Sequence, residues 1–173
     1  MEESRGLVTM KGKPLTLLGH RPEVGQPAPA FTCLDRDLKE VRLSDFEGRA
    51  KLISVTPSLD TPVCEMQTRR FNQEAEKLPP AVQLIAVSMD LPFAQARFCA
   101  THGIERLSVL SDHRDASFGL AYGLLIKELR LLARAVLVLD AADTVRHFQL
   151  VGELTEHPDY DAALAAARAV AGS

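Results

Sequence analysis

The stretch KLISVTPSLDTPVC, residues 51–64, decides the fold. Lys51–Thr56 is an apolar, partly β-branched run closed by Pro57, the pattern of a buried strand. Pro62 suits the first position of a helix, where its missing N–H is not needed and its φ is already helical. Thr61 then falls at the N-cap, where its hydroxyl is placed to accept from the backbone N–H of Cys64 or its neighbour. A helical pattern continues to about Leu78. This is one strand–loop–helix unit, and open α/β sheets put their sites at the carboxyl ends of such strands. Cys64 lies in the first helical turn, where free N–H groups and the positive end of the helix dipole favour a thiolate. The plainer reading of Cys64 is a small buried residue that happens to begin a helix.

The same unit recurs downstream. Val82–Met89 reads as a second buried strand, Pro92–His102 as a helix ended by Gly103, and Leu107–Ser111 as a third strand. Asp115–Tyr122 reads as a helix ended by Gly123. Ala133–Leu139 and Thr144–Val151 read as a hairpin around Asp140–Asp143, and Pro158–Val170 as a closing helix. Upstream, Pro22–Pro29 is a loop, Phe31–Leu34 and Glu40–Leu43 are short strands, and Ser44–Gly48 is a helical turn. Val8–Met10 and Leu15–Leu18 flank Lys11–Pro14 as a hairpin over about residues 7–19. The order predicts an α/β fold with a central mixed β-sheet flanked by helices. Its terminal β-β-α after a βαβ unit resembles the thioredoxin-like order, with an extra N-terminal hairpin. Neither a repeat nor a long linker interrupts residues 1–173, so a single domain is expected.

Composition narrows the function. Twenty Lys+Arg against 23 Asp+Glu leave a net charge of -3, which argues against a general footprint for nucleic acid or an anionic membrane. No apolar run is long enough to span a bilayer, and the acidic N-terminus has no signal-peptide pattern. The chain has three cysteines, Cys33, Cys64 and Cys99, too few and too odd for a disulfide scaffold. A cytoplasmic setting follows as an expectation, and there a cysteine pair is catalytic or metal-binding more often than structural. His20, His102, His113, His147 and His157 show no metal spacing, and no glycine-rich phosphate loop is present, so neither a metal nor a nucleotide cofactor is expected.

Pro57-x-x-x-Thr61-x-x-Cys64 resembles the signature of the peroxiredoxins, and the longer string Pro-Ser-Leu-Asp-Thr-Pro-Val-Cys resembles their thiol peroxidase subfamily in particular. Three further blocks resemble that subfamily in the same order. They are Asp90-Leu-Pro-Phe-Ala-Gln-Ala-Arg-Phe-Cys99, Ala133-Arg134-Ala-Val-Leu-Val-Leu-Asp140 and Pro158-Asp-Tyr-Asp-Ala-Ala-Leu164. The resemblance implies that Cys64 is the peroxidatic nucleophile and passes through a sulfenic acid. It implies that Cys99 is the resolving cysteine, closing an intramolecular Cys64–Cys99 disulfide. Thr61 would bond the thiolate or the peroxide, Arg134 would supply a fixed charge from a later strand, and Pro57 would stiffen the loop and exclude water. The implied activity is antioxidant reduction of hydrogen peroxide and, preferentially, organic hydroperoxides. Thioredoxin, with thioredoxin reductase, is the implied reductant, and a homodimer the implied assembly.

Other readings stand beside these. Cys99, with Phe98, Leu91 and Ala94 near it, also reads as a core residue on an apolar stripe, Arg134 as an interstrand ion-pair partner, and Thr61 as a simple cap. Cys33, in Phe31–Leu34, reads as a small core residue. The apolar run from Leu124 to Leu132 reads as a pocket wall, a cover for a partner, or core. A Cys–His hydrolase using His113 or His147, or a non-enzymatic redox sensor, are the alternative functions. Bridged cysteines need Cα atoms within about 7 Å, which two residues in separate helices rarely satisfy. The turn after Thr61 and part of the Cys99 helix are therefore expected to unwind during turnover.

Overall fold

A computed structural model describes residues 1–171. Ten strands and four α-helices follow one another as β1 (Glu3–Met10), β2 (Lys13–Leu18), β3 (Thr32–Leu34), β4 (Glu40–Arg42), β5 (Ala50–Val55), α1 (Pro62–Glu74), β6 (Val82–Ser88), α2 (Pro92–His102), β7 (Ser108–Ser111), α3 (Ser117–Ala121), β8 (Leu125–Ile126), β9 (Ala135–Leu139), β10 (Val145–Leu150) and α4 (Tyr160–Ala171). Seven strands form one sheet in the order β10-β9-β5-β6-β7-β3-β4. β5, β6 and β7 run parallel, whereas β9 is antiparallel to β5 and β3 to β7. The sheet is thus mixed and helix-flanked, as the sequence predicts.

Strand alternation divides the core in two. Leu52, Leu84, Val136 and Val138 pack on one face with Phe71 of α1, Phe98 of α2 and Leu164 of α4. Ile53, Val55, Val87 and Leu137 pack on the other with Phe118 and Tyr122. Each such side chain contributes about 1.5–3 kcal/mol when fully buried. β5 is covered on both faces, and all six of its residues are buried, Lys51 included. The Lys51 ammonium ion-pairs with Asp143 in the β9–β10 turn, which offsets the cost of burying it. No helix among the described residues is long and apolar enough to cross a membrane.

The N-terminal hairpin is longer than predicted and belongs to a second sheet, β1-β2-β8. Lys11 and Gly12 both have positive φ (50° and 82°), as a two-residue hairpin turn with matching twist requires. The third strand, β8, comes from the Leu124–Leu132 run, which is only partly loop. Leu124, Leu125, Ile126 and Leu132 are fully buried. The hairpin covers the second face of the main sheet through Val8, Leu15 and Leu17. It also grips the segment after β10: Thr9 N–H donates to the Gly152 carbonyl at 2.8 Å, and Leu154 N–H to the Thr9 carbonyl at 2.9 Å.

Several boundaries move for local reasons. The helix after Cys64 ends at Glu74 and continues to Lys77 only as a 3-10 turn. α3 starts at Ser117, not Asp115, because the Asp112 carboxylate collects the N–H groups of Phe118 (2.9 Å) and Gly119 (2.8 Å) from outside the helix. α4 starts at Tyr160, after Asp159, whose carboxylate accepts from Ala162 N–H at 3.0 Å. On α2 the buried positions are Pro92, Gln95, Phe98 and Cys99. Leu91 is instead 51% exposed, so the predicted apolar stripe through Leu91 is wrong. The buried Gln95 amide takes that place by donating to Ser88 Oγ and the Leu110 carbonyl.

Candidate active site

The loop from Thr56 to Thr61 leaves the carboxyl end of β5, and α1 begins at Pro62. Cys64 is fully buried in the first turn of α1. Its sulfur receives Nη2–H of Arg134 at 3.3 Å. Arg134 precedes β9, and it reaches Cys64 because β9 is the antiparallel neighbour of β5. The two residues predicted from separate blocks of sequence therefore meet.

Arg134 is only 2% exposed. Its Nε and Nη2 donate to the Leu154 carbonyl at 3.1 and 2.7 Å, and its Nη1 donates to Gln67 Oε1 at 3.0 Å. Gln67 is held in turn, its Nε2 donating to Ser54 Oγ (2.8 Å) and the Val55 carbonyl (3.3 Å). Among the described residues no carboxylate pairs with Arg134, so all its other acceptors are neutral. A buried charge without a counter-charge is costly, and the Cys64 sulfur is the one atom in contact that can carry a full negative charge. The interstrand ion-pair reading of Arg134 finds no partner. Arg130 is exposed and has positive φ in the turn after β8.

Arg134 also lines a cavity of about 400 Å³. Pro57, Thr61, Pro62 and Val63 line it together with Arg134 and the apolar residues Met10, Leu129, Leu131 and Leu154. Pro57 is buried and sits between the strand end and the loop. Thr61 is the N-cap residue, but its side chain does not cap α1. The hydroxyl instead donates to the Ser58 carbonyl at 3.0 Å, which tightens the loop. The expected bond to the Cys64 N–H is thus corrected. The Leu124–Leu132 run divides into core residues and two cavity residues, Leu129 and Leu131.

Cys99 is buried on α2 in the cluster of Phe98, Ile104, Leu107 and Val109. Burial pushes its thiol above the ordinary range, an effect the Arg36 guanidinium opposes. Both Cys64 and Cys99 are free thiols. Cys33 is a buried core residue, as predicted, and donates its S–H to Asp112 Oδ1 at 3.5 Å. Burial first, then the Asp112 charge, push its thiol far up. Among the described residues no histidine bonds the Cys64 sulfur, which removes the partner a Cys–His hydrolase needs. No group of three or more His, Cys, Asp or Glu among them is placed to hold a metal ion.

Gln67 and the Leu154 carbonyl escaped the sequence reading. Gln67 lies three positions after Cys64, hence on the same helical face, which is the one signal that could have found it. The Leu154 carbonyl left no signal, because its place depends on the hairpin bonds to Thr9.

A model of the Redoxin family matches residues 23–164. The thiol peroxidase of Halalkalibacterium halodurans is 56% identical over 162 residues, covering 94% of this chain and 97% of that protein. The thiol peroxidase of Bacillus subtilis is 52% identical, covering 94% and 97%. Among solved structures, a peroxiredoxin-like protein from Aquifex aeolicus superposes with a TM-score of 0.89 at 38% identity, covering 98% of this chain and 99% of that one. The thiol peroxidase from Chromobacterium violaceum gives 0.81 at 26% identity, covering 90% and 91%.

Proposed function

Since the chain belongs to the Redoxin family, as a peroxidase of the thiol peroxidase branch of the peroxiredoxins, we propose that Cys64 is its peroxidatic nucleophile and Cys99 its resolving cysteine. The Cys64 thiolate attacks one oxygen of a hydroperoxide in line. The O–O bond breaks and its electron pair leaves on the other oxygen, which takes a proton to become an alcohol, or water when the substrate is hydrogen peroxide. Cys64 keeps the first oxygen as a sulfenic acid. Cys99 then attacks the Cys64 sulfur, hydroxide leaves and is protonated to water, and an intramolecular disulfide forms. A thioredoxin dithiol reduces that disulfide and is itself oxidised.

The contact between the buried Arg134 guanidinium and the Cys64 sulfur carries this reading. A fixed positive charge there orients the nucleophile and stabilises charge developing on the leaving oxygen without reorganising. Thr61 and Pro57, on the wall of the same cavity, are read as the residue that bonds the peroxide and the one that keeps the loop stiff. The leucines that line the same cavity support a preference for organic hydroperoxides over hydrogen peroxide. The same reading takes thioredoxin, with its reductase, as reductant, the cytoplasm as setting and a homodimer as assembly, the last on the family resemblance alone.

The test adds one equivalent of an organic hydroperoxide to the full chain, maps the disulfide by mass spectrometry, and then follows thioredoxin-coupled turnover. A Cys64–Cys99 disulfide with sustained turnover is expected. A Cys99→Ser variant should consume one equivalent and stop. Oxidation without thioredoxin-driven turnover would instead support a sensor.

A further inference from the structure

The two proposed redox cysteines sit on separate helices, and a single carboxylate ties the beginnings of those helices together. Asp90 follows β6 and stands one residue before Leu91, the N-cap of α2. Its Oδ1 accepts from Ser58 Oγ at 2.8 Å, and its Oδ2 accepts from Leu59 N–H at 2.8 Å and from Ser88 Oγ at 2.7 Å. Ser58 and Leu59 belong to the loop that delivers Cys64. Asp90 itself is anchored to the sheet, since its carbonyl accepts from Ser111 Oγ and its N–H donates to Ser88 Oγ at 3.4 Å. The loop is pinned further by Leu59, whose side chain packs in the same cluster as Phe98 and Cys99.

We propose that Asp90 is a positioning residue that clasps the Cys64 loop to the start of the Cys99 helix, and so sets the balance between the closed site that meets peroxide and the opened segments that form the disulfide. The proposal rests on the assignment of Cys64 and Cys99 above. Two of the three bonds to the carboxylate come from the loop. Cys99 lies in a packed cluster and the Cys64 sulfur faces Arg134, so joining them requires the loop or the helix to leave its place. Any movement that carries residues 58–59 away breaks the Ser58 and Leu59 bonds to Asp90 together. Hydrogen bonds to a carboxylate are stronger than neutral ones, so this clasp favours the closed form. Weakening it raises the population of the opened form, and with it the rate of disulfide formation. The rate of the first oxidation falls by less, because the closed form stays in excess. The sulfenic acid then has less time to meet a second peroxide and go on to sulfinic acid.

The experiment compares wild type, Asp90→Asn, Asp90→Ala, Ser58→Ala and Ser88→Ala. Stopped-flow measures both steps with an organic hydroperoxide, and mass spectrometry measures the sulfinic fraction over a peroxide series. Ser88→Ala removes one bond from the same carboxylate, together with those that Ser88 Oγ accepts from Asp90 N–H and Gln95, without touching the loop, so it reports general damage. Asp90→Ala and Ser58→Ala should form the disulfide faster, by about tenfold for loss of a hydrogen bond to a charged group, and should need more peroxide to reach the same sulfinic fraction. Asp90→Asn, which keeps one acceptor oxygen, should fall between, and Ser88→Ala should match wild type. Two results overturn the proposal: variant rates equal to wild type, or both steps slowed together in Ser58→Ala and Ser88→Ala alike. Absence of a Cys64–Cys99 disulfide in wild type would remove the underlying assignment as well, whereas a wild-type disulfide with unaltered Asp90→Ala and Ser58→Ala rates removes the clasp alone.

Discussion

Cys33 and Cys64 are both buried, yet their sulfurs face opposite charges. Cys64 receives a hydrogen bond from the Arg134 guanidinium, whereas Cys33 gives one to the Asp112 carboxylate. Beside Asp112 an ionised sulfur would be repelled, and burial adds to the penalty, so the Cys33 thiol is held protonated. Burial is common to the two, and the charge set against each sulfur is what separates them. Surroundings differ too. Cys64 sits at the head of a helix, next in sequence to Val63 of the cavity lining, while Cys33 pairs within the sheet, opposite Val41 of β4.

The largest expected effect comes from exchanging each sulfur for oxygen. Cys64→Ser should abolish even the first turnover of peroxide in stopped-flow, while Cys33→Ser should leave that rate unchanged. Equal losses in both would erase the contrast. Next in size is Arg134→Met, which keeps the bulk and removes the charge. A loss on the order of 10²–10³-fold in the rate of Cys64 oxidation is expected, as for removal of one fixed donor from a site of charge development. A Cys64 that oxidised at the wild-type rate in that variant would show the guanidinium to be merely structural.

The smallest effect concerns the support behind Arg134. Glu153 accepts from Thr155 N–H at 2.9 Å in its own turn, and from Gly12 N–H at 3.0 Å and Thr9 Oγ1 at 2.9 Å, two bonds that help hold the hairpin beside Leu154. They bring its carboxyl down from 4.5 to about 2. The ionised form thus favours the docked hairpin above pH 4.5, and that contribution is lost as pH falls toward 2. The amide resonances of Gly12 and Thr155 should titrate together near pH 2 in NMR spectra. A midpoint near 4.5 would show that the carboxylate holds nothing.

The parts of this molecule legible in its sequence are those with a local cause. The apolar run at residues 51–56, Pro62 at the helix start and the Gly103 stop each act within a few positions, and all lie where expected. The proposed nucleophile is legible for the same reason, since Thr61, Pro62 and Cys64 are one local unit. Gln67, Asp90 and the Leu154 carbonyl are not. Their partners lie far along the chain, as with the bond from Arg134 to Gln67 Oε1, so apart from the helical spacing of Gln67 from Cys64 no local pattern marks them. Thr61 shows the limit of local rules in a different way. Its position at the cap is right, but its hydroxyl turns back to donate to the Ser58 carbonyl and makes no bond to the helix N–H groups.

The central claim is that the cation-facing sulfur is the reactive one. It is tested most directly in Cys99→Ser, which cannot close the proposed disulfide, by adding one equivalent of an organic hydroperoxide with a sulfenic-acid trap and locating the adduct by mass spectrometry. The account predicts an adduct on Cys64 and none on Cys33. An adduct on Cys33, or one shared between the two, would contradict it.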